Sequence, residues 1–163
     1  MATGTSAVPA LLDALVSQST ALAVAGGALD GVTVVDGYGV SENPGSYLFI
    51  GVADPDDADA ATSATSQQAW ANSTGAARDE QGTITCVALA WNGDGDPSKA
   101  RADAYAVVAA VQDLTRPAGR PGDLGVAEAL WVTFGDSLQL RQDNTEDGAT
   151  ALVLFEIAFR ARL

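Results

Sequence analysis

Apolar and polar residues alternate along residues 149–163, at the end of the sequence. The odd positions of this stretch are all apolar, whereas the even positions include Thr150, Glu156, Arg160 and Arg162. Because successive side chains of a β-strand point to opposite faces, this period of two predicts a long strand with one buried face. Such a strand needs a sheet beside it and a helix or a second sheet against its apolar face.

Five further stretches have the composition of strands. They lie at residues 32–35, 47–52, 67–71, 80–91 and 130–141. Both faces of residues 80–91 are largely apolar, which indicates a strand in the centre of a sheet. Gly135 predicts a bend in the strand of residues 130–141.

Two stretches have the spacing of amphipathic helices. The first begins at Val8, with Pro9 in its first turn, and is expected to end near Gly26 and Gly27. The second runs from about Pro97 to Thr115, with Asp96 placed to cap its first turn. The expected fold is therefore α+β, with a mixed or antiparallel sheet of about four to six strands packed against two helices.

The length of 163 residues predicts a single domain, because the chain is long enough for one core and too short for two. Residues 1–7 are small and polar and are expected to be flexible. Residues 53–66 are acidic and rich in turn formers, so they predict a solvated loop. No internal repeat divides the chain.

Charge and cysteine content narrow the classes of function. The net charge of −13 is unsuited to a surface that neutralises phosphates, which disfavours tight binding of nucleic acid or of an anionic membrane. The single cysteine, Cys86, allows no intramolecular disulfide and is expected to be a small buried hydrophobe in a reducing compartment. The first 25 residues have neither the pattern of a signal peptide nor that of a membrane span.

The chain contains no histidine, so it lacks the usual general base near neutral pH and the usual ligand of zinc. Glu156 is the one carboxylate flanked by large apolar residues. Its position on the same strand face as Arg160 and Arg162 favours an ion pair, in solvent or between subunits, over catalysis. We expect no catalytic residue, no cofactor and therefore no enzyme.

The oxygen-rich stretch around Asp94 and Asp96 imitates a calcium-binding loop. Pro97 stands where such a loop requires glycine, and a strand rather than a helix leads into it. A helix cap after a tight turn is the better interpretation, and no metal site is predicted.

The order of segments resembles that of the tail terminator proteins of long-tailed bacteriophages, of the siphovirus type, particularly those that infect actinobacteria. The resemblance runs from about residue 8 to residue 163. It consists of an amphipathic first helix, a strand ending in VVDG, the strand YLFIGV, the segment ARDEQGTITC, a helix introduced by GDGDPSKARADAY, and the closing strand ATALVLFEIAFRARL.

The resemblance implies a structural virion protein that forms a homo-oligomeric ring, usually a hexamer, on the head-proximal end of the tail tube. There it would end tube polymerisation and join the tail to the head-completion proteins. Its implied partners are other copies of itself, the major tail tube protein and the head-to-tail stopper or neck protein. The implied location is the tail or neck of the virion, after synthesis in the cytoplasm of the host bacterium.

Two groups of residues are the candidates for sites in such a ring. Glu156, Arg160 and Arg162 are expected at the contact between subunits. The acidic residues of the loop are expected to line a channel through which DNA passes without specific binding, because like charges repel. They are Asp54, Asp56, Asp57 and Asp59.

Two other functions stay open on the sequence alone. Another neck or tail component, such as a head-to-tail stopper or a tube subunit, would share the acidity and the ring assembly. A carboxylate-based or metal-dependent hydrolase is the more distant alternative, and loss of activity on removal of Asp94 or Asp96 would favour it.

Overall fold

The computed structural model describes residues 4–39, 44–54, 62–73, 75 and 77–163. Two α-helices and six β-strands follow one another in these residues, with one turn of 3-10 helix at Pro117–Gly119. In chain order the elements are α1 (Val8–Leu22), β1 (Val32–Asp36), β2 (Ser46–Ile50), β3 (Ala64–Trp70), β4 (Arg78–Asn92), α2 (Pro97–Thr115), β5 (Ala129–Thr145) and β6 (Gly148–Arg162).

All six strands belong to one mixed sheet. Its order is β1-β2-β4-β6-β5, and β3 pairs with β4. β1 and β2 are parallel, and every other pair is antiparallel. The α+β fold with two helices is therefore confirmed, and residues 80–91 do form part of a central strand.

One face of the sheet, which we call the helical face, carries the main core. The odd residues of β6 lie on it and alternate with less buried even residues, as the period of two predicts. Ile84 and Cys86 of β4 stand opposite Ile157 and Phe155 of β6 on this face. The two helices pack against it through Leu11 and Leu15 of α1, and through Ala104, Val107, Val108 and Val111 of α2.

The opposite face, which we call the open face, has a smaller apolar cluster at one end. Tyr47, Phe49, Val87 and Leu152 are buried there. The rings of Tyr47 and Phe49 stack with their centroids 5.8 Å apart. This second cluster explains why both faces of β4 are apolar along its second half.

The second helix begins and ends where the sequence predicts. The Asp96 carboxylate accepts hydrogen bonds from the backbone amides of Ser98 at 2.9 Å and Lys99 at 3.2 Å, and Pro97 is the first helical residue. The first helix ends at Leu22, earlier than Gly26. The backbone amide of Leu29 donates to the Leu22 carbonyl at 3.0 Å, and this bond folds the chain back so that the Leu29 side chain is buried.

β2 and β3 lie in line along one edge of β4. Ile50 pairs with Cys86 and Ala64 pairs with Ile84, so only Thr85 separates the two pairings on β4. The backbone of Thr85 binds both ends of the intervening chain: its carbonyl accepts from Gly51 at 2.8 Å and its amide donates to Ser63 at 3.1 Å. Residues 51–63, which we call the excursion, are thus inserted into one interrupted edge.

Strand boundaries differ from the prediction at three places. β3 begins at Ala64, inside the predicted loop of residues 53–66, and it is longer than the predicted strand of residues 67–71. β5 continues to Thr145, so the turn before β6 is shorter than expected. The bend at Gly135 is confirmed by a shift of register between Phe134 and Leu138.

Candidate assembly surface

The half of the open face away from the apolar cluster carries polar side chains around one aromatic ring. Trp131 of β5 is half-buried at its centre, opposite Arg160 of β6. A shallow depression of about 610 Å³ runs beside this ring and includes Thr83, Thr133, Glu156 and Ala158 among its lining residues. This half of the open face contains all three predicted interface residues.

Asp79 of β4 joins the two C-terminal arginines. Arg160 donates a hydrogen bond to the Asp79 carboxylate at 2.7 Å, and Arg162 Nε donates to its other oxygen. Hydrogen bonds from Arg162 and then Arg160 hold the pKa of Asp79 below its usual value of 3.8, although burial opposes them. The arginine side chains are 43% and 48% exposed, so they are also accessible from outside.

The arginines therefore pair with Asp79, whereas the sequence favoured an ion pair of Glu156. Strand alternation places Glu156, Arg160 and Arg162 on one face, but it gives no information on which strand lies beside them. Asp79 pairs with Arg162 across the β4–β6 ladder. Only this non-local register identifies Asp79 as the partner, so the sequence analysis missed it.

Glu156 lies opposite an irregularity in β5. Phe134 pairs with Ile157 and Leu138 pairs with Phe155, so three residues of β5 stand opposite Glu156 alone. A Cβ atom on Gly135 would lie 2.9 Å from the Glu156 carbonyl oxygen, which explains why the bend occurs at a glycine. The Glu156 side chain is half-buried and lines the depression.

β6 lies inside the sheet, between β4 and β5. Its backbone hydrogen-bonding groups are therefore used within the subunit on both sides. Another copy can reach this strand only through its side chains on the open face. The free edges of the sheet belong to other strands.

The first residue of the predicted channel lining is fixed to the sheet. The Asp54 carboxylate accepts a hydrogen bond from Arg141 of β5 at 2.8 Å, which ties the start of the excursion to the opposite side of the sheet. Asp56, Asp57 and Asp59 lie outside the described residues. Whether these carboxylates line a channel stays a prediction.

Trp70, at the end of β3, is 67% exposed. The guanidinium group of Arg78 lies 5.9 Å from the centroid of the Trp70 ring, and Arg78 also donates to the Gln68 side chain at 2.9 Å. An exposed tryptophan on an edge strand is a frequent feature of protein interfaces. The sequence analysis assigned no function to this residue.

A buried carboxylate holds the start of α1 on the sheet. Glu80 is fully buried and accepts hydrogen bonds from Ser6 Oγ, the Ala7 amide and Ser66 Oγ, each at 2.7 Å, and from the Gln68 side chain at 3.4 Å. Burial raises the pKa of Glu80, but these four donors outweigh it and hold the pKa below its usual value of 4.5. The cluster connects α1, β3 and β4.

The residues that imitate a calcium loop serve the turn before α2. The Asn92 side-chain oxygen accepts from the backbone amides of Asp94 and Asp96, each at 3.1 Å, and the Asp96 carboxylate caps the helix. Among the described residues no group of acidic, cysteine or histidine side chains is arranged to hold a metal ion. Burial raises the pKa of Cys86 to about 12, so its thiol is protonated near neutral pH.

Solved structures include chains with a similar fold. The chain is similar to a protein chain in a solved structure described as the virion of a native gene transfer agent (GTA) particle, with a TM-score of 0.63 and 16% sequence identity. The match covers 98% of this chain and 100% of the other, so the two share a fold over their whole lengths. No family model and no curated protein matches this sequence.

None of the helices in the described part of the chain combines the length and the apolar character that crossing a membrane requires.

Proposed function

We propose that this protein is a structural component of a phage virion. The observation that carries the proposal is the full-length similarity of its fold to a chain of a gene transfer agent virion. The candidate surface supports the same interpretation, because its charged groups form ion pairs on an open sheet face and do not converge on an enclosed pocket. A structural protein that docks to other subunits needs such an exposed charged surface and no enclosed pocket.

Within the virion, we propose that the protein is the tail terminator. Copies form a homo-hexameric ring on the head-proximal end of the tail tube, where they end its polymerisation and present a surface to the neck proteins. The arrangement of segments shared with tail terminators supports this role. The partners are further copies of the chain, the major tail tube protein and the head-to-tail stopper.

The exposed parts of Glu156, Arg160 and Arg162 are proposed to contact a neighbouring copy across the open face. Each arginine makes its bond to Asp79 with one part of its guanidinium group, and the side chains remain about half exposed. Guanidinium groups have several donors in one plane, so a second acceptor can bind without loss of the first. Glu156 adds a carboxylate of opposite charge to the same surface.

The acidic excursion is proposed to contribute to the channel wall. Its four aspartates, Asp54, Asp56, Asp57 and Asp59, would keep DNA moving by repulsion and not by binding. Support comes from the net charge of −13 and from the bond that fixes Asp54 over the sheet. A ring structure with the excursion on its outer rim would contradict this assignment.

A tube subunit is the second candidate, and the free sheet edges at β3 and β5 favour it, since open edges also suit continuous polymers. The two functions are separated by electron microscopy of the purified protein with and without isolated tail tubes. A terminator gives one ring at one end of each tube and no tubes by itself. A tube subunit polymerises alone.

A further inference from the structure

β1 is an edge strand with an apolar composition. It pairs with β2 on one side, and none of the described residues pairs with its other side. Its sequence is VTVVD, so its one charged side chain is Asp36, at the end of the strand. Edge strands that must stay unpaired usually carry charges or proline along their length. The edge of β1 is therefore suited to pairing with another strand.

The hydrogen bonds between β1 and β2 show which backbone groups of β1 are free. The Gly37 amide donates to the Ile50 carbonyl at 2.8 Å, so the odd positions of β1 point toward β2. Because backbone groups alternate along a strand, the amides and carbonyls of Val34 and Asp36 point away from the sheet. The Val32 carbonyl does the same, whereas the Val32 amide closes the turn before β1. These outward groups are available to a partner strand.

The second half of β5 is an edge of the same kind on the opposite side of the sheet. Residues 138–144 pair with β6, and in the described part of the chain nothing pairs with their other side. Arg78 of β4 and Leu163 exchange hydrogen bonds of 3.0 and 2.8 Å, so the odd positions of β6 bond to β4 and its even positions bond to β5. Leu138 and Leu140 stand opposite odd positions of β6, so their own amides and carbonyls point outward.

The two edges lie at the same height along the strands. One row of paired residues crosses the whole sheet, and it consists of Val34, Leu48, Ala88, Val153 and Leu140. The adjacent row begins at Val35 and ends at Gln139. β1 is parallel to β2, and the three steps from β2 to β5 are antiparallel, so β1 and β5 run in opposite directions. An antiparallel pair between these edges therefore needs no shift along the strands.

We propose that β1 of one copy pairs antiparallel with residues 138–142 of β5 in the next copy, and that Val34 stands opposite Leu140. In this register the outward backbone groups of Val34 and Asp36 meet those of Leu140 and Leu138. Val34 and Leu140 both pack on the helical face, so the apolar layer of that face continues from one copy into the next. Leu138, which is 49% exposed, becomes a diagonal neighbour of Val34 and is removed from water.

Equal height is the condition under which such a contact closes. The displacement from one copy to the next then has no component along the strands, so repetition about an axis parallel to them gives a ring when the rotation divides a full turn. The contact joins two different edges, so every copy keeps one edge for the next. This inference rests on the proposed ring and names the strands that build it. It is separate from the proposed contact of Arg160 and Arg162, which project from the open face.

The outlines of the two sides of the sheet also fit each other. β3 lies in line with β2, one strand inside β1, so the described part of the sheet is recessed beside β3. On the opposite side Gly122 adds one position outside β5, through backbone hydrogen bonds of 2.6 and 3.2 Å with Val132. Recess and projection are at equal height, because one row joins Ser66, Gly82, Phe159 and Val132. In the proposed pairing, Gly122 of one copy therefore enters the recess beside β3 of the next.

The test is a disulfide between neighbours in the variant Val35→Cys/Gln139→Cys. In the proposed register these two positions form a non-hydrogen-bonded pair on the open face, with Cα atoms about 4.5 Å apart, which a disulfide can bridge. Within one copy they lie on opposite edges, separated by roughly 19 Å, or four strand spacings, so no internal disulfide forms. The thiol of Cys86 is buried and does not compete. Thr33→Cys/Arg141→Cys is the second variant, because it tests the next such pair of the same register and leaves Val35 in place.

The matched control is Val35→Cys/Asp143→Cys. Asp143 is exposed on the same edge and the same face, but it lies four positions further along β5, or roughly 13 Å. All variants are checked for folding by thermal unfolding under reducing conditions. They are then oxidised in the presence of tail tubes, run on a non-reducing gel and imaged by electron microscopy. The proposal predicts a ladder of cross-linked species up to the full ring for the Gln139 and Arg141 variants, and no species larger than a dimer for the control.

The outcomes separate the contact from the function. Rings on tubes without a ladder in the Gln139 and Arg141 variants overturn the β1–β5 contact and leave the terminator role standing. A ladder without rings on tubes supports the contact and contradicts the terminator role. The absence of both rings and ladder overturns both proposals, and a control ladder equal to that of the Gln139 variant overturns the proposed register.

Discussion

Gly82 of β4 lies directly against the carbonyl oxygen of Thr65 of β3. A Cβ atom added to Gly82 would be 2.1 Å from that oxygen and 2.9 Å from the Ser66 Cα atom, both of which are backbone atoms. The two strands approach so closely here because glycine has no side chain. The position of β3 against β4 therefore depends on Gly82.

Gly82→Ala is expected to push β3 away from β4 and to lower the free energy of unfolding by about 1–3 kcal/mol, the usual cost of overpacking. Urea denaturation measures this loss. Gly45→Ala is the matched control, because its new Cβ atom would have a nearest neighbour at 3.8 Å and should leave stability nearly unchanged. Equal stability of the two variants would contradict the close contact of β3 with β4.

Acid should weaken the attachment of α1 to the sheet. Folding holds the pKa of Glu80 below its usual value of 4.5, so the stabilisation is fully present above about pH 4.5 and is lost as the pH falls through the folded pKa. The pKa of Asp79 is also held below its usual value of 3.8, so the stabilisation from this carboxylate is likewise lost as the pH falls through its folded pKa. Denaturation curves between pH 3 and 7 should show this decline.

The variant Glu80→Gln measures how much of this loss of stability in acid is due to Glu80. The amide cannot accept all four donors that surround the carboxylate, so the variant should be less stable at pH 7 by about 1–3 kcal/mol. Its stability should also fall less steeply with acid. A variant with an unchanged pH profile would show that Glu80 does not titrate in this range.

Asp96→Ala should lower stability by about 0.5–2 kcal/mol, because α2 loses the acceptor for its first two free amides. Asp94→Ala is the control, since Asp94 takes part in the turn through its backbone amide. Thermal unfolding compares the two variants. A larger effect of Asp94 would show that the turn, and not the cap, fixes the start of the helix.

The two arginines of β6 test the proposed contact across the open face. Arg160→Gln with Arg162→Gln should reduce the fraction of tail tubes that carry a ring, because it removes both cations from the surface. Asp79→Asn keeps both cations and should retain the rings. Counting capped tubes in micrographs distinguishes the variants, and intact rings with the double glutamine variant would refute the assignment.

Local pattern was sufficient for much of the fold. The period of two in β6 predicted its buried face, and Asp96 with Pro97 predicted the start of α2. Both features depend on neighbours in sequence. The open-face positions of Glu156, Arg160 and Arg162 follow from the same alternation.

The pairing of strands that are distant along the chain could not be predicted from the sequence. Ile50 and Ala64 lie on the same edge of β4 because the chain leaves this edge after Ile50 and returns to it at Ala64. No local sequence pattern indicates this return. The bond from Arg160 to Asp79 depends on strand order in the same way. The placement of β6 inside the sheet, with β1, β3 and β5 as the edge strands of the described part of the chain, is known only from the topology.

The central claim is that this protein ends tube growth, and a polymerisation assay tests it most directly. Purified tube subunits are allowed to assemble with increasing amounts of the protein, and tube lengths are measured by electron microscopy. The account predicts shorter tubes, each with a single ring at one end. Tubes of unchanged length, or tubes with the protein incorporated along their walls, would contradict it.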